Sequence, residues 1–175
     1  MYLGALALAL ALLGCEAVNP KPLARENMVP QNPELVFKSS GKSIGLGAFE
    51  GWQEKGAYKV SAQDLKQAVG EGLKHSNLFA AVYRTDQYKA DYVVSAKIMG
   101  QPMKGAVKVT ASLVVDYRIR SSGAEASVFD KRISSSYSVT GGEEFVGMTR
   151  IRKAVEGAVR ENVRQFLEAV SKVQL

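Results

Sequence analysis

The chain has 175 residues, of which 46% are hydrophobic and 23% charged, a composition typical of one globular domain and not of a disordered or fibrous chain. It contains one cysteine and one histidine, which excludes a disulfide framework, a zinc finger and any other site that needs several such ligands. We therefore predict neither a metal site nor a cofactor. Lys and Arg outnumber Asp and Glu by 23 to 17, and this net charge of +6 would favour anionic partners.

The first 14 residues (MYLGALALALALLG) carry no charged side chain and consist almost wholly of Leu, Ala and Gly. A bilayer-spanning helix needs ~20 apolar residues, so this run has instead the length of the apolar part of a signal peptide. The next residue completes the sequence LLGC at positions 12–15, which resembles a bacterial lipobox. The resemblance implies cleavage before Cys15 and acylation of its thiol. A short core segment followed by an inert buried cysteine is the alternative.

Residues 15–33 contain four of the five prolines and no periodic apolar pattern, which predicts a flexible tether between the lipid and the domain. The folded domain is then expected to span residues 34–175. Glu16 stands where an aspartate would favour retention in the inner membrane of enteric-type bacteria. We therefore predict the periplasmic face of the outer membrane, with the inner membrane as the alternative.

The domain begins with predicted strands at residues 35–37 and 43–49. Ser61, with Asp64 three residues later, has the spacing of a capping box and predicts the start of a helix. Asn77 is suited to the left-handed conformation that ends a helix. The apolar face of this helix is formed by Leu65, Ala68, Val69, Gly72 and Leu73.

A short strand is expected at residues 79–83, and apolar and polar residues then alternate over 92–98, 107–119 and 129–139. One dry and one wet face predict a mainly antiparallel sheet, with glycine-containing connections at 100–105 and 121–127. The last segment, 151–170, carries a continuous apolar stripe and predicts a second amphipathic helix. If both helices cover the same face of the sheet, the fold is a two-layer α+β sandwich.

Two surfaces are candidate contact sites. An exposed sheet edge can recruit a strand from a partner. The polar face of the sheet carries basic side chains that we expect to contact a protein partner or an anion, namely Lys108, Arg118, Arg120 and Arg132. On the last helix, by contrast, Lys and Arg are interleaved with Glu, which indicates a solvated face and no nucleic-acid site.

Catalytic motifs are incomplete in this sequence. Residues 41–45 (GKSIG) match the pattern of a hydrolase nucleophile, but a strand follows Ser43 where that elbow needs a helix, and His75 is the only candidate base. A phosphate-binding loop would need a glycine where Val36 stands, and a dinucleotide fingerprint would need one at Glu50. We therefore predict a non-enzymatic protein.

Residues 73–82 (LKHSNLFAAV) close a helix, and residues 90–94 (ADYVV) open a strand. Together with the lipobox, this pattern resembles the small bacterial lipoproteins of the ABC-transport auxiliary and YajG-like families, over residues 43–172. The resemblance implies an outer-membrane-tethered accessory of an envelope machine that transports lipid or maintains the cell wall. It transfers no catalytic residues.

Two other functions remain open from the sequence. The basic balance and the tether would suit a lipoprotein that binds peptidoglycan or regulates its synthase, with anionic lipid as a further ligand. A small hydrolase using Ser43 or His75 is the less favoured alternative. All these readings share an envelope location and a membrane anchor at Cys15, and an envelope protein is the partner expected for the leading one.

Overall fold

A computed structural model describes residues 21–31, 35–52, 58–84, 89–143 and 146–175. The predicted leader and Cys15 lie outside the described residues. A 3-10 helix spans Arg25–Met28. The further elements are β1 (Ser43–Glu50), α1 (Ala62–His75), β2 (Ala81–Tyr83), β3 (Tyr92–Gly100), β4 (Met103–Lys104), β5 (Val109–Ser121), β6 (Ser127–Val139) and α2 (Gly147–Val170).

The six strands form one mixed sheet in the order β2-β1-β3-β5, with β6 on the other edge of β5. β4 also pairs with β5, beside the end of β3. β3, β4 and β6 are antiparallel to β5, whereas β1 is parallel to both β2 and β3. The parallel pair arises because α1 carries the chain from the end of β1 back to the start of β2. The alternation of apolar and polar residues predicted the antiparallel strands β3, β5 and β6, but it did not predict the parallel pairing of β1 with β2 and β3.

Both helices pack on the same face of the sheet, which confirms the predicted two-layer α+β sandwich. Ile44, Val94 and Leu113 from three strands belong to one hydrophobic core with the apolar stripes of α1 and α2. Phe166 of α2 stacks on Tyr117 of β5, with 4.3 Å between the ring centroids. The core therefore fills the space between one helix layer and one sheet face. None of the helices in the described part of the chain is long and apolar enough to cross a bilayer.

The predicted start and end of α1 are confirmed. Ser61 accepts a hydrogen bond from the Asp64 backbone, and the Asp64 side chain accepts one from the Ser61 backbone, which completes the capping box. Asn77 follows the helix with a φ of 57°, in the left-handed region. Local side-chain chemistry thus sets both ends of this helix.

Four predicted features differ from the structure. Residues 35–37 form no strand; the Phe37 amide donates instead to the Ser76 carbonyl at the end of α1. The predicted connection at 100–105 contains β4. Val107, expected on the dry face, is exposed because β5 begins only at Val109. Tyr137, also expected on the dry face, is 40% exposed beside α2, with the Arg160 guanidinium carbon 5.4 Å from its ring centroid.

A polar network lies inside the core. Asn162 is fully buried, accepts from the Tyr117 hydroxyl at 2.9 Å, and donates to the Leu113 and Ile133 carbonyls, each at 3.2 Å. The Asn162 side-chain amide also donates to the Ser135 hydroxyl, and this hydroxyl donates to the Ala158 carbonyl at 2.7 Å. The network joins α2 to β5 and β6, and burial raises the pKa of the Tyr117 phenol, so that the hydroxyl remains a donor.

We expect Asn162→Ala to lower the free energy of unfolding by ~2–4 kcal/mol, because it leaves the Tyr117 hydroxyl without its acceptor and creates a cavity. Urea denaturation measures the effect. Tyr117→Phe should cost less, ~1 kcal/mol, because the ring packing on Phe166 is retained. Equal stability of the Asn162→Ala variant and the wild type would show that the network contributes nothing.

The N-terminal segment is packed against the helices through a buried carboxylate. Glu156 of α2 is 1% exposed and accepts from the Ala24 amide at 2.7 Å and from the Asn27 side-chain amide at 2.9 Å. Arg160 donates to the Asn27 carbonyl, and Met28 is fully buried. This part of the predicted tether is therefore fixed, and the packed chain begins before residue 34, the predicted domain boundary.

We expect Glu156→Ala to release this segment, because each hydrogen bond to a charged acceptor contributes ~1.5–3 kcal/mol. Limited trypsin digestion followed by mass spectrometry should show cleavage after Arg25 accelerated by about tenfold or more. Glu168→Ala, which removes an exposed carboxylate near the other end of α2, is the matched control and should leave the rate unchanged. Equal cleavage rates in both variants would contradict the role of Glu156.

Candidate functional site: the charged sheet face

The face of the sheet opposite the helices carries a cluster of charged side chains. We call it the charged sheet face, and it consists of Glu50, Lys97, Asp116, Arg118, Arg120, Asp130 and Arg132. On β3 and β5 the charged residues alternate with buried ones, so their side chains point away from the core. The strand register places Glu50, Asp130 and Arg132 beside them on the same face. A groove of about 460 Å³ runs across this face and is lined by most of them.

Four of these side chains form a row across four strands. Glu50 of β1 is paired in register with Lys97 of β3, Lys97 with Asp116 of β5, and Asp116 with Arg132 of β6. The Lys97 ammonium lies 3.1 Å from the Glu50 carboxylate. The Arg132 guanidinium makes two hydrogen bonds to Asp116, at 2.6 and 2.7 Å. The charges therefore alternate in sign from one strand to the next, which favours this strand pairing.

Two further cations lie beside this row. Arg118, two residues along β5 from Asp116, contacts the Asp130 carboxylate of β6 at 2.7 Å. Arg120 lies opposite Val93 of β3 and Ser127 of β6, and among the described residues no carboxylate is paired with it. Arg120 is thus the cation of this face that can accept a new anionic partner without losing an existing one.

The structure separates the four basic residues that the sequence suggested as one contact site. Arg118, Arg120 and Arg132 lie together on the charged sheet face, but Lys108 precedes the other end of β5. At ~3.3 Å per residue, the ten positions between Lys108 and Arg118 correspond to roughly 30 Å. Lys108 therefore cannot contact the same small ligand as the three arginines.

The Arg132 guanidinium holds the pKa of Asp116 below its ordinary value of 3.8, mainly through the hydrogen bond, with Coulombic contributions from Arg132 and Lys97. The same hydrogen bond raises the pKa of Arg132. Both groups are thus charged throughout the physiological range. With four cations and three carboxylates, the face is nearly neutral, and it presents a pattern of charges instead of a basic patch.

Sequence reasoning identified the arginines but missed Glu50, Lys97 and Asp130 as their neighbours. The missing information is the register, because which residues face one another depends on strand order and on the bulges of the sheet. The hairpin between β5 and β6 was the only available signal: a short connection at 121–127 sets Asp116 opposite Arg132 once its turn is known.

The candidate hydrolase residues are placed apart from this face. Ser43 at the start of β1 donates hydrogen bonds to the Asp91 carboxylate from its backbone amide and, at 2.7 Å, from its hydroxyl. The amide and then the hydroxyl lower the pKa of Asp91. His75 is exposed at the C-terminal end of α1. Within the described ranges, no three His, Cys, Asp or Glu side chains are grouped so that they could hold a metal ion.

Comparison of the structure with solved structures gives several matches, whereas no protein-family model and no curated protein match the sequence. A DUF330 protein from Xanthomonas campestris superposes with a TM-score of 0.60 at 13% identity, covering 82% of this chain and 90% of that one. A protein from Helicobacter pylori, described as a homolog of a neuraminyllactose-binding hemagglutinin, gives 0.53 at 13% identity, covering 87% and 93%. A protein from Caulobacter crescentus described as a lipoprotein gives 0.47 at 16% identity, covering 69% and 86%.

At these identities the likeness to the Xanthomonas campestris and Helicobacter pylori proteins establishes a shared fold and no shared activity. Proteins described as lipoproteins are among the solved structures that match this chain. The narrower assignment to the ABC-transport auxiliary or YajG-like families stays a prediction from the sequence pattern.

We expect Arg132→Gln to raise the pKa of Asp116 towards 3.8, because the hydrogen bond that lowers it is lost. The folded pKa lies below the unfolded value, so the pair stabilises the protein above the unfolded pKa, and this contribution is lost as the pH falls through the folded pKa. Because both groups are exposed, water screens the pair and its contribution to stability is small. Carboxyl NMR titration measures the shift, and Lys108→Gln, at the other end of β5, should not change it.

Proposed function

We propose that this protein is a lipid-anchored envelope lipoprotein whose domain is a non-enzymatic binding or assembly module for an envelope machine that transports lipid or maintains the cell wall. The lipobox ending in Cys15 supports the anchor, and the resemblance to lipoprotein structures fits it. Glu16 supports the periplasmic face of the outer membrane as the location. The sequence resemblance to transport-accessory lipoproteins supports the kind of machine.

The charged sheet face carries the binding part of this proposal. A grooved face with fixed charges of alternating sign is complementary to a protein surface that presents the opposite pattern, and such complementarity gives specificity and correct orientation. Arg120, which pairs with no carboxylate in the described part of the chain, supplies a further cation within it. Because the helices cover the opposite face of the sheet, the charged sheet face is the one that a partner can contact.

Binding to peptidoglycan or another polyanion is the second candidate, supported by the net charge of +6. The charged sheet face is a poor site for a polyanion, because Arg118 is paired with Asp130 and Arg132 with Asp116. A polyanion would have to displace both carboxylates. We therefore place a protein partner first.

A photo-crosslinking amino acid at Ser95, which lines the groove beside Arg118, should trap one discrete envelope protein in intact cells. The same group at Gln165 on α2 is the positional control and should trap none. Arg120→Glu should reduce the yield by about tenfold, because a repulsive charge within a complementary interface costs on the order of 1 kcal/mol or more. Lys172→Glu, beyond the end of α2, is the matched charge control.

Equal yields from positions 95 and 165, or no effect of Arg120→Glu, would contradict the assignment of this face. Sedimentation of the protein with purified sacculi at low salt, lost at moderate salt, would favour glycan binding. A Cys15→Ser variant that still fractionates with membranes like the wild type would contradict lipidation.

A further inference from the structure

Exposed apolar side chains are concentrated at one end of the domain. Among the described residues, five of the eight large hydrophobic side chains that are exposed lie there, with exposed fractions from 44% to 78%. We call this region the anchor end, and its apolar residues are Trp52, Met99, Met103, Val107 and Val146. Exposed Trp, Met and Val in such number are costly in water unless a surface covers them.

The topology brings these residues together. β1 and β3 end here, β5 begins here, and both helices have their N-termini here, because α1 and α2 run antiparallel to β1. Trp52 bridges to Ser61 at the start of α1, and Gln101 is hydrogen-bonded to both Tyr58 and Val60. The Arg150 guanidinium of α2 donates to the Val107 carbonyl at 3.0 Å.

Basic side chains surround the apolar ones. The Lys59 ammonium lies 5.2 Å from the centroid of the Trp52 ring. Lys104 and Lys108 lie on either side of Val107 in the sequence and are exposed. Among the described residues neither forms a salt bridge, although Lys108 exerts a Coulombic attraction on the Glu143 carboxylate. The acids at this end have partners of their own: Glu143 accepts from the Thr140 amide and hydroxyl, Glu50 pairs with Lys97, and Asp64 pairs with Arg25. The N-termini of α1 and α2 add positive partial charge at this end.

The N-terminal segment runs along the helices toward this end. Ala24 is bound at Glu156, whereas Pro30 lies beside Gly72 and Val163, further along both helices. Followed backwards, the chain therefore leads from Pro30 through Ala24 toward the N-termini of the helices. Arg25, bonded to Asp64 in the first turn of α1, marks the same direction.

The length of chain between Ala24 and Cys15 limits how far the domain can lie from its anchor. Nine residues extend at most about 30 Å, and roughly 14 Å of this is needed to reach the level of the α2 N-terminus. The anchor end is thus held within about 20 Å of the bilayer surface.

We propose that the anchor end docks directly on a bilayer surface that contains anionic lipid. This inference rests on the proposed anchor at Cys15 and goes beyond it, because it assigns a second, non-covalent contact. Trp52 and the methionines enter the interfacial layer, where an amphipathic aromatic ring is favoured. Lys59, Lys104 and Lys108 contact the acidic headgroups.

A bilayer fits this end better than a protein partner does. The attached acyl chains hold the anchor end beside a membrane at all times, and apolar side chains flanked by lysines suit the boundary between headgroups and acyl chains. The charged sheet face differs from the anchor end in that it carries ion pairs of both signs and none of the exposed apolar side chains that define that end. The two surfaces therefore suit two different partners.

Trp52 is the only tryptophan of the chain, so its fluorescence reports on this contact directly. The acylated protein, beginning at Cys15, is reconstituted in vesicles of phosphatidylethanolamine and phosphatidylglycerol that contain a spin-labelled quencher lipid. We expect quenching and a blue shift of Trp52 emission. Lys104→Gln with Lys108→Gln should reduce the ratio of docked to undocked protein by about fivefold for each lysine removed, since each basic residue near an anionic surface contributes ~1 kcal/mol.

Matched controls separate the possible failures. Val36→Gln with Val128→Gln changes two exposed apolar residues outside the anchor end and should leave Trp52 quenching unchanged. Protein that floats with the vesicles while Trp52 stays unquenched would overturn docking but leave the anchor intact. Protein that carries no acyl group and does not float would overturn the anchor and the docking with it. Trp52 shielded by a concentration-dependent dimer, without quenching, would show a second copy as the occupant and overturn the proposal.

Discussion

The structure depends on burying one face of the sheet and leaving the other in water. The strands alternate apolar and polar residues, so one side is covered only if both amphipathic helices pack against it, and the same packing leaves the charged side exposed. The hydrophobic contacts of the buried side, including the stack of Tyr117 on Phe166, provide the stability. The exposed side is then free to carry a pattern of charges whose contribution to stability is small.

Polar groups are used differently in these two environments. Inside, Asn162 satisfies every group it buries and fixes the position of α2 over β5 and β6. Outside, Asp116 and Arg132 form a pair that water screens, so its main consequence is a fixed arrangement of charge. A polar group without a hydrogen-bond partner would destabilise the core, whereas on the exposed face water would supply the missing partner.

The N-terminal segment gives the domain an orientation. Because Glu156 binds Ala24 and Asn27, the chain from Pro30 back to Ala24 is directed along the helices toward the anchor end. With the anchor end on the bilayer as proposed, the strands run away from the membrane. In this orientation the charged sheet face is roughly perpendicular to the membrane plane, where a periplasmic protein partner can reach it while the lipid anchor remains in place.

The sequence by itself determined the features that depend on neighbouring residues. The capping box at Ser61, the left-handed Asn77, the apolar stripe of α2 and the alternation in β5 were all predicted, because each arises from side chains a few positions apart. The lipobox at Cys15 is an equally local pattern, and the anchor that it implies stays a prediction. The tether prediction could not foresee the contact of Glu156 with residues more than 100 positions away, which holds part of that segment against α2.

Tertiary structure alone decided the parallel pairing of β1, the row of charges across four strands, and the separation of Lys108 from the three arginines. It also decided that Trp52, Met103 and Val146 share one end of the domain. Each depends on strand order and register, which are set by how the helices and strands pack together, and no local pattern of residues encodes that arrangement.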